Sequence, residues 1–323
     1  MPVIEVTDLV KEFRRPKRHQ GSFAGVRTLL TREYTVNRAV DGISFRIEPG
    51  EMVGYLGPNG AGKSTSIKML TGILVPTSGT VRVAGATPWR DRARNARQIG
   101  VVFGQRSQLW WDLPLRDSLW LIGRLYDVPA GRFAEKQRQF TELLDLGSFL
   151  DTPVRQLSLG QRMRGDLAAA MLYDPSILYL DEPTVGLDVV AKERIRAFVA
   201  ELNRESGTTV VLTTHDLDDV EELCERIVLI DHGKVAYDGD VDELKARYAP
   251  HRELVVQTEH LEEVEGAEIV RREEGKVWLR FDPALTSPAR LVAAVLAEHR
   301  VTDLSIVEPE LESVIHRIYA DRG

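Results

Sequence analysis

Gly57-Pro58-Asn59-Gly60-Ala61-Gly62-Lys63-Ser64 follows the apolar stretch Val53-Gly54-Tyr55-Leu56 and opens a segment, Lys63 to Leu74, with helical spacing. The eight residues fit G-x-x-x-x-G-K-[ST], and Thr65 comes next. Glycines at these places let backbone N–H groups converge on phosphate oxygens that a bulkier residue would keep away. In such a loop Lys63 reaches the β- and γ-phosphates and the Ser64 hydroxyl ligates Mg²⁺. The helix that starts here adds its positive end to the same anion site. A glycine-rich turn that matches by accident would lack this strand before it and helix after it. The stretch reads as a nucleotide cradle on an α/β fold.

Outward from the loop, strands and helices alternate. Strands are expected at Val3–Phe13, Ala39–Ile47, Gln98–Phe103, Ile177–Asp181, Thr208–Thr213 and Ile227–Asp231. Helices are expected at Phe133–Leu146, Leu159–Leu172, Val189–Arg204 and Leu217–Cys224. This alternation implies a layered α/β domain on a largely parallel sheet. After a helix at Asp240–Tyr248 the character changes. Strands at Leu254–Thr258, Lys276–Phe281 and Leu304–Val307 and helices at Pro288–His299 and Leu311–Ala320 suggest a small α+β appendage. The expected division is residues 1–248 and 249–323, with Val255, Val277, Leu279, Leu291, Val295, Ile306 and Ile315 in the second core.

Composition narrows the classes. The 323 residues, 43% hydrophobic and 28% charged, exclude long disorder, collagen and coiled coil. A net charge of −7 and no nucleic-acid reading motif argue against a polyanion binder. Cys224 is the only cysteine, so an intramolecular disulfide and a Cys-rich metal site are ruled out. The run Leu291 to Ala297 is the longest purely apolar one, far short of the ~20 residues that span a bilayer. The start of the chain lacks the regions of a signal peptide, so a soluble, cytoplasmic protein is expected.

A second acidic feature lies downstream. Ile177-Leu178-Tyr179-Leu180 ends in Asp181 and Glu182. A buried strand puts both acids at its carboxyl edge, where open α/β sheets bind ligands. Asp181 is expected to hold Mg²⁺ and Glu182 to polarise an attacking water as general base. A strand ending in two acids is more often a surface or capping pair; the upstream cradle reverses that reading.

Leu157-Ser158-Leu159-Gly160-Gln161, just ahead of the acid pair, resembles the signature of ABC ATPases, usually written LSGGQ, with Leu159 where glycine is usual. Gln105 is similar to that family's γ-phosphate-sensing glutamine, Gly186-Leu187-Asp188 to its D-loop, and His215 to its switch histidine. The resemblance covers about residues 3–240, with the motifs in the family's order. It implies a P-loop cassette with a parallel core, an antiparallel β subdomain and a helical subdomain. It also implies that ATP and Mg²⁺ bind, with Gln105, Asp181 and Ser64 at the metal and Lys63, Glu182, His215 and Gln105 in hydrolysis. Ser158 is at once a plausible helix cap and, with Gly160 and Gln161, a second anion site that makes sense when closed on a neighbour's nucleotide. Asp188 would communicate across that interface. For adenine stacking the resemblance leaves Phe13 and Tyr34 in competition, with Phe13 preferred because it ends the first strand.

Within the family, no coiled-coil insertion splits the cassette, as in repair relatives, and one phosphate loop argues against the two-cassette translation type. The short α+β tail differs from the all-β tail of maltose-type importers and is similar to that of drug-resistance and sodium-efflux exporters. Phe103-Gly104-Gln105-Arg106-Ser107-Gln108-Leu109-Trp110-Trp111-Asp112-Leu113-Pro114 resembles a branch of those exporters assigned in part to viologen or multidrug export. That implies a second ATPase subunit, two different polytopic permease subunits, no nucleic acid, and a place at the cytoplasmic face of the membrane. Trp110, Trp111 and Leu113 are candidates for the permease contact, a buried core role being the competitor. The acidic run Asp216, Asp218, Asp219, Glu221 and Glu222 reads as a solvated helix face. Residues 14–36 read as a basic insertion, with Phe23, Val26 and Leu30 on one face of a short helix capped by Ser22.

Overall fold

The computed structural model describes residues 1–16, 34–104, 106–258 and 260–320. The chain divides into two compact units, Met1–Asp238 and Gly239–Gly323. In the first, β1 (Ile4–Pro16) and β2 (Tyr34–Ile47) form an antiparallel ribbon. Then come β3 (Met52–Leu56), α1 (Lys63–Leu70) and β4 (Ser78–Val83), and β4 completes a three-stranded sheet in the order β2-β1-β4. Ile4, Val6, Ile43, Phe45, Val81 and Val83 alternate inward and pack with Val53 and Tyr55 of β3 in one core.

The chain continues through α2 (Arg92–Gln98), β5 (Ile99–Phe103), α3 (Leu115–Leu125), α4 (Ala130–Leu143) and α5 (Leu159–Met171). It closes the unit with β6 (Ile177–Asp181), α6 (Val189–Ser206), β7 (Thr209–Thr213), α7 (Leu217–Leu223), β8 (Arg226–Asp231) and β9 (Lys234–Asp240). The second sheet runs β5-β6-β7-β3-β8-β9, and β5 through β8 pair in parallel. Ile177 to Leu180 and Thr209 to Thr213 are buried without interruption, as strands covered on both faces must be.

The second unit starts with α8 (Val241–Tyr248), followed by β10 (Arg252–Gln257), β11 (Glu268–Glu273), β12 (Lys276–Phe281), α9 (Pro288–Glu298), β13 (Asp303–Val307) and α10 (Leu311–Ala320). Its antiparallel sheet has the order β11-β12-β10-β13. Leu254, Val256, Val277, Leu279 and Phe281 form its core with Leu291 and Val295 of α9. Helix α8, assigned to the first domain on sequence, packs with α10 of this unit.

Several expectations are corrected. Helix α1 stops at Leu70, where Thr71 and the left-handed Gly72 end it, instead of reaching Leu74. Residues 14–16 and 34–36, placed in the insertion, belong to the ribbon, paired as Arg14 with Val36 and Pro16 with Tyr34. The helix read into Ser22 to Leu30 lies outside the described residues. Val255 faces away from the second core and Ile306 is 40% exposed. Three consecutive apolar residues, Leu254-Val255-Val256, hide the phase of the strand, and a one-residue slip exchanges its two faces. The sequence reading also passed over β4, α2, α3, β9 and β11, although α3 carries a clear helical stripe in Leu115, Leu119 and Ile122.

Candidate nucleotide-binding and hydrolysis site

The phosphate loop joins β3 to α1 at the carboxyl edge of the parallel sheet. Two of its glycines are demanded by the chain itself. A Cβ on Gly57 would sit 2.2 Å from the Ile230 carbonyl oxygen, and one on Gly62, at φ +107°, 2.4 Å from that of Ala39. Gly60, at φ +87°, has nothing within 4 Å of a built Cβ, so its freedom serves the turn. The Lys63 ammonium is buried within this loop, donating to the carbonyls of Gly57 and Pro58. Burial pulls its pKa down, and the charges of Glu182 and Asp181 partly restore it. Ser64 is exposed beside it.

Parallel register brings the acids to the same edge. Phe103 pairs with Asp181 and Asp181 with Thr213. The Thr213 hydroxyl donates to Asp181 Oδ1 at 2.6 Å, leaving the other carboxylate oxygen for a ligand. Glu182, one residue beyond the ladder, adopts φ +58°. A non-glycine residue there costs about 1–2 kcal/mol. Two contacts offset it: the Glu182 N–H donates to the Thr213 carbonyl at 2.8 Å, and its carboxylate accepts from the His215 backbone at 3.2 Å. His215 Nε2 lies 3.1 Å from Glu182 Oε1. Burial raises the Glu182 pKa, while His215 and Lys63 pull it back. A carboxylate whose burial raises its affinity for a proton, beside a lysine and a histidine, is placed to act as a general base.

The signature lies at the start of α5. Ser158 caps that helix in a full capping box: its hydroxyl accepts from Gln161 N at 3.2 Å, and Gln161 Oε1 accepts from Ser158 N at 2.9 Å. Leu159 occupies the space over Gly186, with its Cδ2 3.1 Å from where a Cβ on Gly186 would stand. Asp188 caps α6 through Ala191 N at 2.8 Å. Gln105 lies outside the described residues. Tyr34 is 55% exposed, three rungs further out on the ribbon than Phe13 and opposite Pro16. Phe13 is half-buried, on the side of β1 that carries Lys11, and Lys11 pairs with Val40, whose side chain lies against Gly62.

Two carboxylates escaped the sequence reading. Asp219, read as part of a solvated face, is 1% exposed, because its turn of α7 faces the loops leaving β6 and β7. Asp216, from the same run, pairs with Lys192. Asp166 of α5 is also buried, accepting from Ser107 Oγ at 2.9 Å and Gln108 N at 3.0 Å, and burial pushes its pKa up to about 6. It ties the stretch after Gln105 to the signature helix. Helical spacing could have found both: Asp166 falls in the stripe of Met163, Leu167 and Ala170, and Asp219 in that of Val220 and Leu223.

The residues present fit a magnesium nucleotide. Ser64 and Asp181 are hard oxygen donors, and among the described residues no three His, Cys, Asp or Glu side chains form an all-protein cage. Mg²⁺ is usually held in this sparse way, completed by substrate phosphates.

A parallel sheet whose carboxyl edge joins a phosphate loop to an Asp-Glu pair and a histidine, with a signature helix beside it, defines an ATP-binding cassette. A family model described as ABC transporter matches residues 40–185. The Nod factor export ATP-binding protein I of Paraburkholderia xenovorans is 40% identical over 65% of this chain and 68% of its own. The daunorubicin resistance ATP-binding protein DrrA3 of Streptomyces coeruleorubidus is 38% identical over 71% and 72%. The chain spans about two thirds of the length of the curated relatives it matches. A dimeric ATP-binding cassette solved in a post-hydrolysis state with ADP and Pi superposes with TM-score 0.59 at 27% identity, over 73% of this chain and 98% of that one. This chain belongs to the ABC transporter family, as an ATP-binding subunit with an ATPase cassette.

Proposed function

We propose that two copies of this chain close head-to-tail around two ATP molecules and power a membrane permease that exports small hydrophobic or cationic compounds. The observation that carries the reading is the division of labour within one chain. Lys63, Asp181, Glu182 and His215 gather at one sheet edge, whereas the signature's contacts run to Gly186, Leu187 and Ala191. Gly160 has no steric reason within the chain to be glycine, since a Cβ there would meet nothing closer than 3.4 Å. A nucleotide approaching from a neighbouring subunit supplies that reason.

Within the composite site Lys63 and the loop N–H groups hold the β- and γ-phosphates. Ser64 and Asp181 would hold Mg²⁺, with Gln105 as its expected further ligand. When bound, that ion would supply positive charge to offset that of the phosphates. Glu182 orients the attacking water and accepts its proton, and His215 steadies both the carboxylate and the γ-phosphate. Ser158, Gly160 and Gln161 cap the partner's nucleotide, and Asp188 relays closure between subunits. Phe13 is favoured over Tyr34 for adenine by its register position on the side nearer the loop.

Export is favoured by the relatives, whose names specify Nod factor export and daunorubicin resistance. The path is assigned to a separate permease; among the described residues no helix is long and apolar enough to cross a membrane. Trp110 and Trp111, 42% and 53% exposed beside half-buried Leu113, are assigned to its docking surface.

Complementation tests the composite site. Lys63→Ala and Ser158→Arg should each abolish turnover as pure proteins. Mixed, they form heterodimers with one intact site, so activity should return to a fraction of the parent's. A mixture as inactive as its components would contradict the head-to-tail arrangement.

A further inference from the structure

The ladder between β6 and β7 ends at Asp181 and Thr213, and the two chains then part as separate loops. One carries Glu182, Pro183 and Thr184; the other carries Thr214, His215 and Asp216. The separation of Glu182 and His215 therefore depends on what joins the loops beyond the last rung. Directly, the loops meet through the Glu182 N–H on the Thr213 carbonyl at 2.8 Å and the His215 N–H on the Glu182 carboxylate at 3.2 Å, while the His215 side chain is 52% exposed and needs further support.

Asp219 joins them from the side. Its Oδ2 accepts from the Thr184 hydroxyl at 2.5 Å and from the Thr214 hydroxyl at 3.4 Å, one on each loop. Its Oδ1 accepts from Arg196 Nε of α6 at 2.6 Å. Arg196 in turn reaches Glu222 at 2.7 Å. The Thr214 hydroxyl also accepts from Asp216 N at 3.0 Å, fixing the turn around His215. Asp219, Thr184 and Thr214 are 1%, 2% and 3% exposed. A carboxylate this deeply buried persists only with its donors in place, so the three donors and the acceptor hold one arrangement.

We propose that Asp219 is the positioning residue that fixes Glu182 against His215, clamping their two loops through Thr184 and Thr214. It touches no reacting atom; it acts through the loops. The proposal rests on the reading of Glu182 as general base, and its test is built to fail separately from that reading.

The full chain is assayed as Asp219→Asn, Thr184→Val, Thr214→Val and Thr184→Val/Asp219→Asn, with steady-state ATP hydrolysis, ATP affinity and the thermal midpoint measured for each. A loosened catalytic geometry should lower kcat about tenfold or more in Asp219→Asn, with KM and ATP affinity within about twofold of the parent. Thr184→Val and Thr214→Val, which keep side-chain shape and remove one hydroxyl each, should each lower kcat by a smaller factor at unchanged KM. They carry the test if Asp219→Asn fails to fold. The double variant should be no slower than Asp219→Asn, because both changes break one clamp. Parental kcat in the folded single variants, losses that appear in KM with kcat unchanged, or losses that multiply in the double variant would each overturn the proposal. Glu182→Gln is run alongside. If it hydrolyses at the parental rate, the reading beneath the proposal falls; if it is inactive while Asp219→Asn is fully active, only the clamp falls.

Discussion

The carboxyl edge of the six-stranded sheet and the four-stranded sheet of the second unit are built on opposite principles. At the first, ionisable groups are buried on purpose: Lys63, Asp166 and Asp219 sit below the surface, each held by hydrogen bonds and Asp219 also by its ion pair with Arg196, and Glu182 keeps a left-handed backbone. In the second, the core is wholly aliphatic and aromatic, and Thr258 is the one buried polar side chain among the described residues there. Buried polar groups cost stability unless they perform a task, whereas an apolar core does little besides fold. The nucleotide chemistry is accordingly proposed for the first unit.

Lys63→Ala against Leu254→Ala is the widest test of that contrast. Removing the ammonium should weaken ATP binding by at least ~10²-fold, the scale of a lost charge-assisted phosphate contact, with folding retained. Truncating Leu254, 1% exposed, should remove about 2–5 kcal/mol of stability from the second unit and leave ATP affinity unchanged. Isothermal titration and calorimetric melting read both. A Leu254→Ala protein that folds normally yet binds ATP poorly would place nucleotide chemistry in the second unit.

Asp166→Asn gives a smaller effect with a definite sign. Burial raises its folded pKa to about 6, against about 3.9 in an unfolded chain. Between these values the folded state binds more protons than the unfolded one, so stability falls as pH rises, by about 2–3 kcal/mol in all, and stays lower above pH 6. Asparagine can still accept from Ser107 and Gln108 and has no charge to desolvate. The variant should therefore melt higher than the parent at pH 8 and close to it at pH 4, measured by thermal melts across pH. A parent already insensitive between pH 4 and 7 would show that Asp166 is not held in this environment.

Legibility in the sequence differed along the same line. The phosphate loop, the acid pair and the signature are contiguous strings, and the geometry puts Lys63, Asp181, Glu182 and His215 together as their spacing on parallel strands implies. Buried strands such as Ile177 to Leu180 announce themselves by unbroken apolarity. The partners of the supports were not legible, because Asp219 meets Thr184 across 35 positions and Asp166 meets Ser107 across 59, and no local pattern marks such pairs. Strand β4, Ser78-Gly79-Thr80-Val81-Arg82-Val83, is strand because the ribbon's edge pairs with it, a tertiary decision that overrides weak propensity.

The central claim is that Glu182, at the end of β6, takes the proton from the attacking water while Lys63 and the loop hold the nucleotide. The most direct measurement is ATP turnover of Glu182→Gln alongside its elution on a sizing column with ATP present. The variant should bind ATP like the parent, lose at least ~10²-fold in turnover, and accumulate as a dimer that the parent shows only briefly. A Glu182→Gln protein that hydrolyses ATP at the parental rate and stays monomeric with ATP would contradict the assignment.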